Sequence, residues 1–122
     1  EMGGNGNIST IISALEDELS ARDYDYTNPW YFPRLGEYTS LLENTGFEVR
    51  YARLFDRPTR LKGDDGLRNW LEMFGDTFFA EVPGDEADEI IDAVEDELRD
   101  ELYDAENGDW VADYRRLRFV AY

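Results

Sequence analysis

The chain contains neither cysteine nor histidine, and this absence limits the chemistry that its side chains can perform. Without thiols or imidazoles there are no disulfides, no cysteine nucleophiles, no thiolate or imidazole zinc sites and no Ser-His-Asp arrangement. Acid–base chemistry would have to come from carboxylates, from tyrosines or from Lys62. We therefore assign no metal site from the sequence.

Aromatic residues form the main candidate site. Segment 22–33 (RDYDYTNPWYFP) has no regular period and holds five aromatic residues among Asp, Asn and Pro, which indicates a loop. In it, Trp30, Tyr31 and Phe32 would line a pocket for an apolar or planar substrate, and Trp70 would join them. The alternative is that these side chains belong to an ordinary core, which helical spacing favours for Trp70.

Three other motifs have a structural interpretation beside a functional one. Arg57, Arg60 and Arg68 are candidate anion anchors, but internal salt bridges are favoured in a chain with 29 acids, and only Arg68 is predicted as a substrate contact. The glycine turn at residues 3–6 would suit a phosphate loop, but no strand precedes it, and we favour a simple turn. The acids of segment 85–101 lack EF-hand spacing and favour a solvated helix face over a cation site.

Hydrophobic spacing predicts the elements that position these residues. Apolar residues recur at helical spacing in four segments, and two further segments alternate as strands do. The predicted helices are 8–21, 35–45, 65–74 and 85–103. Asn7 is the predicted N-cap of the first helix, Gly46 the C-terminal cap of the second and Gly75 the stop of the third. The predicted strands are 47–55 and 110–121. The pattern predicts one α+β domain over residues 1–122, with helices and a two-stranded antiparallel pair.

Charge excludes one class of partner and indicates an environment. Twelve Lys and Arg against 29 Asp and Glu give a net charge of −17, so the surface would repel a nucleic-acid backbone. The acids are spread over the whole chain and lysine is scarce, which favours adaptation to a salt-rich cytoplasm, as in a halophile, where screening suppresses self-repulsion. The alternative is an acidic surface for a basic partner. The absence of a long apolar run and of a signal-peptide pattern predicts a cytoplasmic chain without membrane contact.

An ordered set of motifs resembles the class I S-adenosylmethionine-dependent methyltransferases. Residues 1–8 (EMGGNGNI) resemble the E-F-G-G-x-G-N-I segment that follows the fifth strand of that family. Residues 31–38 (YFPRLGEY) and 41–49 (LLENTGFEV) resemble its late helix and sixth strand. Segments 54–59, 66–76 and 113–121 complete the match. The set spans nearly the whole chain and is similar to the trans-aconitate methyltransferase-like group.

The resemblance implies a fold and a place within it. The family has a Rossmann-like α/β sheet of seven strands, the last antiparallel, so 47–55 would be the sixth strand and 110–121 the seventh. The chain would be a fragment, the C-terminal, substrate-side part of that fold. The cofactor turn E-x-G-x-G-x-G and the ribose-binding acid lie upstream in the family and have no match here.

The same resemblance implies a division of roles. S-adenosylmethionine is expected in the parent protein and none in this chain alone, which should carry no catalytic or cofactor-binding residue and be inactive in isolation. The parent would act on a small molecule. The predicted substrate contacts are Trp30, Tyr31, Phe32, Arg68 and Trp70.

Other hypotheses remain open beside this one. The chain would otherwise be a stand-alone ligand-binding or protein-interaction module with an aromatic pocket, or an acidic decoy for a basic protein. Because it opens with Glu1 rather than Met, we expect a processed, cut or engineered piece. In the family the last strand is flanked on both sides, and one flank is expected to be missing here. We therefore expect a homodimer through the open strand edge.

Overall fold

The computed structural model describes residues 1–26 and 28–122. In these ranges the helices are α1 (Ser9–Ala21), α2 (Leu35–Asn44), α3 (Gly66–Met73), α4 (Gly75–Phe78) and α5 (Gly84–Leu102). The strands are β1 (Met2–Gly3), β2 (Val49–Asp56), β3 (Thr59–Leu61), β4 (Tyr103–Asp104), β5 (Asp109–Ala112) and β6 (Arg115–Ala121). The α+β prediction is confirmed, and each of the four predicted helices is present. Every helix among the described residues is too short or too polar to cross a membrane.

The strands form two three-stranded antiparallel sheets. Sheet A has the order β1-β6-β2, and sheet B has the order β3-β5-β4. In sheet A, β2 pairs with β6 from Asp56 opposite Arg115 to Val49 opposite Ala121, with a register shift between Val49 and Tyr51. The predicted antiparallel pair is therefore present. The additional strands β1, β3 and β4 have two or three residues each, too few for an alternating pattern to show in the sequence.

The segment 110–121, predicted as one strand, is two strands in different sheets. The prediction fails at Asp113 and Tyr114, where the chain leaves sheet B and enters sheet A. Asp113 Oδ2 accepts a hydrogen bond from the backbone N–H of Thr10 at 3.0 Å, and the Asp113 carbonyl accepts one from Ile8 at 2.9 Å. The strand is interrupted here because Asp113 satisfies donors at the start of α1.

The prediction that Asn7 caps α1 is also wrong. Ile8 occupies the N-cap position with φ +47°, in the left-handed region that β-branched residues rarely adopt. Asn7 instead accepts a hydrogen bond from the backbone N–H of Arg115 at 2.7 Å through its side-chain oxygen. The start of α1 is thus held by the segment that links the two sheets.

The core lies between α1, α3, α5 and sheet B. Trp110 is completely buried, and its indole N–H donates to the carbonyl oxygen of Asp64 at 2.8 Å. The predicted apolar stripes of α1 and α5 are buried, and the two helices pack on each other. The buried residues of the stripes include Ile11, Leu15, Leu19, Ile90, Ile91, Val94 and Leu98. Helix α3 lies so close to β3 that a Cβ on Gly66 would come within 2.2 Å of the Leu61 carbonyl oxygen.

Helix α2 packs on sheet A, but none of its residues is buried. It ends as predicted, because Gly46 follows it with φ +108°. The N–H of Gly46 donates to the Glu43 carbonyl at 3.1 Å, and the N–H of Phe47 donates to the Leu42 carbonyl at 3.0 Å. These two bonds form the Schellman pattern of a helix C-terminus. Gly75, in contrast, begins α4 rather than ending α3.

Candidate functional site

A cleft of about 330 Å³ lies beside the aromatic loop and is the best candidate for a functional site. Its volume falls at the lower end of the range for small-molecule sites, which begins at about 300 Å³. The polar residues that line it are Asn5, Asn7, Ser9, Ser13, Glu16 and Asn28. The apolar and aromatic ones are Ile12, Trp30, Tyr31 and Phe32. Residue 27 of the predicted loop lies outside the described residues. Two further clefts contain none of the predicted site residues.

The glycine turn forms one wall of the cleft and holds the aromatic loop in place. A Cβ on Gly3 would lie 2.7 Å from the Phe32 ring, so the absence of a side chain lets that ring approach the backbone. The backbone N–H of Asn5 donates to the carbonyl of Pro33 at 2.9 Å. A Cβ on Gly4 would lie 2.5 Å from Leu54. Protein side chains thus fill the space beside Gly3 and Gly4, as expected for a simple turn rather than an open ligand loop.

One face of α1 forms the second wall. Ser9, Ser13 and Glu16 follow one another at spacings of four and three residues, which places them on one side of a helix. The apolar residues of α1, which include Ile11 and Leu15, lie on another side of the helix and are buried. The same helix therefore anchors the core and presents hydroxyl and carboxylate groups to the cleft.

The aromatic loop forms the third wall and is supported from behind by further aromatic rings. The Trp30 ring stacks on Phe32 with 5.7 Å between ring centroids, and Phe74 and Phe78 meet it edge-on at 5.5 Å each. Trp70 lies 6.3 Å from Trp30. Such pairs add to the stability that burial alone provides. The structure therefore brings Trp30, Phe32 and Trp70 into one aromatic cluster, but only Trp30 and Phe32 of these three line the cleft.

Trp70 and Tyr31 occupy opposite positions in this cluster. Trp70 is only 7% exposed, does not line the cleft, and donates its indole N–H to the Tyr114 hydroxyl at 3.1 Å. It belongs to the core, in agreement with the alternative interpretation. Tyr31 is 54% exposed and lines the cleft. Desolvation, together with the nearby Glu37 carboxylate and Tyr38, raises the pKa of the Tyr31 hydroxyl.

Arg68 does not line the cleft. Its guanidinium donates to Glu95 at 2.7 Å and also pairs with Asp92, both on α5. Desolvation alone would lower the pKa of Arg68, but the charges and hydrogen bonds of Glu95 and Asp92 outweigh it and raise that pKa. Arg57 and Arg60 are also in ion pairs, with partners at 3.1 and 3.2 Å. Internal salt bridges, the favoured interpretation, account for all three arginines.

The polar residues of the cleft were not singled out from the sequence. A signal for part of the set is present, because Ser9, Ser13 and Glu16 form a polar stripe directly after the glycine turn. Asn5, Asn7 and Asn28 give no periodic signal, since they lie in turns and loops that only tertiary contacts bring together.

The lining of the cleft is suited to binding a small molecule. Its amide and hydroxyl groups can donate and accept hydrogen bonds, and its aromatic rings can cover an apolar body. Among its described lining residues Glu16 is the one carboxylate. Nowhere in the described ranges do three or more carboxylates converge in a way that would hold a metal ion.

Comparison with known proteins relates the chain to one enzyme class. It is 34% identical over 134 aligned positions to an uncharacterized methyltransferase from Schizosaccharomyces pombe. The alignment covers 100% of this chain and 47% of that relative, so the chain spans about half of the relative's length. No protein-family model matches the chain. The similarity supports a place in the methyltransferase family.

Proposed function

We propose that the chain is the C-terminal, substrate-side region of a class I S-adenosylmethionine-dependent methyltransferase that acts on a small molecule. The observation that carries this proposal is the 34% identity to a methyltransferase over 100% of the chain but 47% of the relative. A match of that extent is expected for a piece of a larger enzyme. The aromatic cleft beside the glycine turn supports the substrate-side assignment.

The strand directions of sheet A also support the proposal. β6 is antiparallel to both of its neighbours, so β1 and β2 run parallel to each other on either side of it. The resembling family has a last strand that is antiparallel and flanked on both sides. In this assignment β1 is the end of the fifth strand, β2 is the sixth and β6 is the seventh. The seventh strand is then shorter than the sequence predicts, since β5 belongs to sheet B.

The cofactor would be held by residues outside this chain. The one glycine-rich turn does not fit a cofactor cradle, because Phe32, Leu54 and Leu117 fill the space beside Gly3 and Gly4. S-adenosylmethionine, when bound to the parent, supplies the reactive methyl group. The residues of this chain position the acceptor and keep water from it.

We assign the substrate contacts to Trp30, Tyr31 and Phe32, which line the cleft. Trp70 would act from behind by fixing the position of Trp30, and Arg68 by joining α3 to α5. Hydrogen bonds from Asn and Ser side chains would orient polar groups of the substrate.

The first test is the coding sequence immediately upstream of Glu1. We expect it to continue in frame into a strand and an E-x-G-x-G-x-G turn. An upstream sequence without that turn would refute the assignment to this enzyme class.

A second test measures methyl transfer by the parent protein. Tyr31→Ala should lower kcat/KM by about tenfold, since an exposed aromatic contact in the cleft is lost. Tyr122→Ala removes a tyrosine that is 72% exposed and outside the cleft, and it should leave kcat/KM unchanged. Equal effects of the two changes would contradict the assignment of the cleft.

A stand-alone ligand-binding module is the second candidate function. It is favoured by one observation, namely that all walls of the cleft come from residues 5–32 of this chain. A gene whose first codons lie near Glu1, together with ligand binding by the chain alone, would bring this candidate forward.

We also propose that the chain forms a homodimer through sheet A. Contrary to the expectation of a missing flank, β1 lies beside β6 in sheet A. Support for the proposal comes from the shortness of β1, which pairs only with Leu117 and Arg116. Beyond Leu117 and Arg116, no described strand pairs with the edge of β6 that faces β1. Strand edges of this kind pair readily with other chains. Sedimentation should show dimers that dissociate on dilution, and a monomer at high protein concentration would refute the proposal.

A salt-rich cytoplasm is our proposal for the native environment. The support is the excess of 29 acids over 12 basic residues. The free energy of unfolding should rise between about 0.1 M and about 1 M KCl, because the Debye length falls from about 10 Å to about 3 Å and repulsion is screened. A stability that falls over this range would speak against salt adaptation.

A further inference from the structure

The side chains around the cleft offer no positive charge. Its described lining residues are amides, hydroxyls, apolar groups and one carboxylate, with no Lys or Arg among them. An anionic ligand would find hydrogen-bond donors but no cation, and it would meet the carboxylate of Glu16. Desolvating an anion without a partner is costly.

Two arginines that would be expected to supply such a charge are committed elsewhere. Arg115 lies next to the glycine turn, but its Nη1 donates to the carbonyl of Asn5 at 3.1 Å. Arg68, the predicted substrate contact, is bound to Glu95 at 2.7 Å. Turning either side chain toward the cleft would break an existing interaction.

Two kinds of side chain in the cleft favour a cation. The rings of Trp30, Tyr31 and Phe32 line the cleft, and aromatic rings attract positive charge through their π-electrons. Glu16 provides the opposite charge. The net charge of −17 raises the local concentration of cations around the whole molecule.

We propose that this cleft binds a protonated amine on a small planar or apolar body. The ammonium group pairs with Glu16, the aromatic rings cover the body, and the Asn and Ser side chains bind other polar groups. This inference depends on the proposed function in one respect, namely that the amine is part of the methyltransferase substrate. The same cleft disfavours a carboxylate.

Three probes that share one ring test the charge preference on the chain itself: 2-phenylethylamine, 2-phenylethanol and 3-phenylpropionate. Binding is followed by NMR from the side-chain amide signals of Asn5, Asn7 and Asn28 and the indole signal of Trp30. We expect the amine to bind about tenfold more tightly than the carboxylate and about threefold more tightly than the alcohol.

Two matched variants separate a local contact from general attraction to an acidic protein. Glu16→Gln should weaken binding of the amine about three- to fivefold and leave binding of the alcohol unchanged. Glu89→Gln removes the same charge from an exposed position on α5 and should leave both unchanged. Equal weakening by the two variants would overturn the proposal, because it would assign the attraction to net charge.

Two further results would also overturn it: carboxylate binding as tight as amine binding, or no shift of the cleft signals with any probe. Methyl transfer by the parent protein is measured separately. A failed amine preference with intact methyl transfer refutes the substrate class alone, and the reverse refutes the enzyme class alone.

Discussion

Sheet B and sheet A differ in how completely helices cover them. We call α1, α3, α5 and sheet B the helical side, and α2 and sheet A the open side. The helical side buries Trp110 and the stripes of α1 and α5 almost completely. The open side leaves four large apolar residues between 42% and 50% exposed, namely Leu41, Phe47, Tyr51 and Val120.

Charge follows the same division. Helix α5 carries a run of Asp and Glu on its exposed face, whereas β2 and β6 carry five of the chain's 12 basic residues. The arginines of those two strands are Arg50, Arg53, Arg115, Arg116 and Arg118. The open side therefore exposes both apolar and cationic groups, whereas the exposed surface of α5 is mostly acidic.

The largest expected difference between the sides comes from single aromatic truncations. Trp110→Ala should lower the free energy of unfolding by about 3–5 kcal/mol, because a fully buried indole and its hydrogen bond are lost. Tyr51→Ala, at 45% exposure, should change it by less than about 0.5 kcal/mol. Urea unfolding of both variants measures this, and similar losses would contradict the division.

Arginine truncations should show a smaller contrast. Arg68→Ala leaves the carboxylate of Glu95, which is 9% exposed, without its partner and should cost about 1–3 kcal/mol. Arg53→Ala removes an exposed arginine that lies over the Phe55 ring, and it should cost less than about 1 kcal/mol. Thermal unfolding measures the stability lost in each variant. A loss in Arg53→Ala as large as that in Arg68→Ala would contradict the expected contrast.

Two glycines of the open side should respond in opposite directions. Gly46→Ala places a side chain at φ +108° and should destabilise the protein by about 1–2 kcal/mol. Gly36→Ala lies within α2 with no atom within 4 Å of the new Cβ, and it should stabilise the protein by about 0.5–1 kcal/mol. Denaturant midpoints check both signs. If neither variant shifts the midpoint, α2 contributes nothing to the cooperative unit.

The smallest expected effect concerns pH and one acid from each side. Desolvation, followed by Asp17, Glu18 and Glu101, raises the pKa of Glu97. Partial burial would also raise the pKa of Glu1, but its hydrogen bond to Arg118 and the charges of three arginines lower it below the usual value of 4.5.

The signs of the two contributions are therefore opposite. The contribution of Glu97 favours folding below its unfolded pKa and is lost as pH rises through the raised folded value. That of Glu1 favours folding above pH 4.5 and is lost as pH falls through the lowered value. At pH 7, Glu97→Gln should stabilise slightly and Glu1→Gln should destabilise slightly. Both differences in the free energy of unfolding should vanish in acid. If each variant differed from the original protein by the same amount at every pH, this account would be excluded.

The sequence predicts the helices better than the short strands and the break between the two sheets, for a physical reason. The helices α1 and α5 repeat apolar residues with the period of a buried stripe, so their ends are predicted within one residue. Gly46 is predictable because only a residue that tolerates positive φ fits there. The break at Asp113 is not, because its cause is a hydrogen bond to Thr10, far away in sequence.

The candidate site shows the same limit. The aromatic loop is predictable as a candidate site because Trp30, Tyr31 and Phe32 do not follow the spacing of a buried helix or strand face. The amides of the cleft come from separate turns, and local sequence holds no trace of their proximity. Arg68 was assigned to the substrate because arginine suits anions in general, and its partner Glu95 becomes visible only when α3 packs on α5.

The central strand of sheet A follows both of its partners in the chain by more than fifty residues. β1 and β2 each pair only with β6, and Met2 finds its partner at Leu117. During synthesis the contacts of α1 with α5 can therefore form before β6 has been made, whereas sheet A cannot. A proteolytic cut just before Arg115 would leave most of the helical core in place and would leave β1 and β2 without a partner. Unpaired strand edges of that kind invite aggregation, so the integrity of this one strand decides whether sheet A is protected.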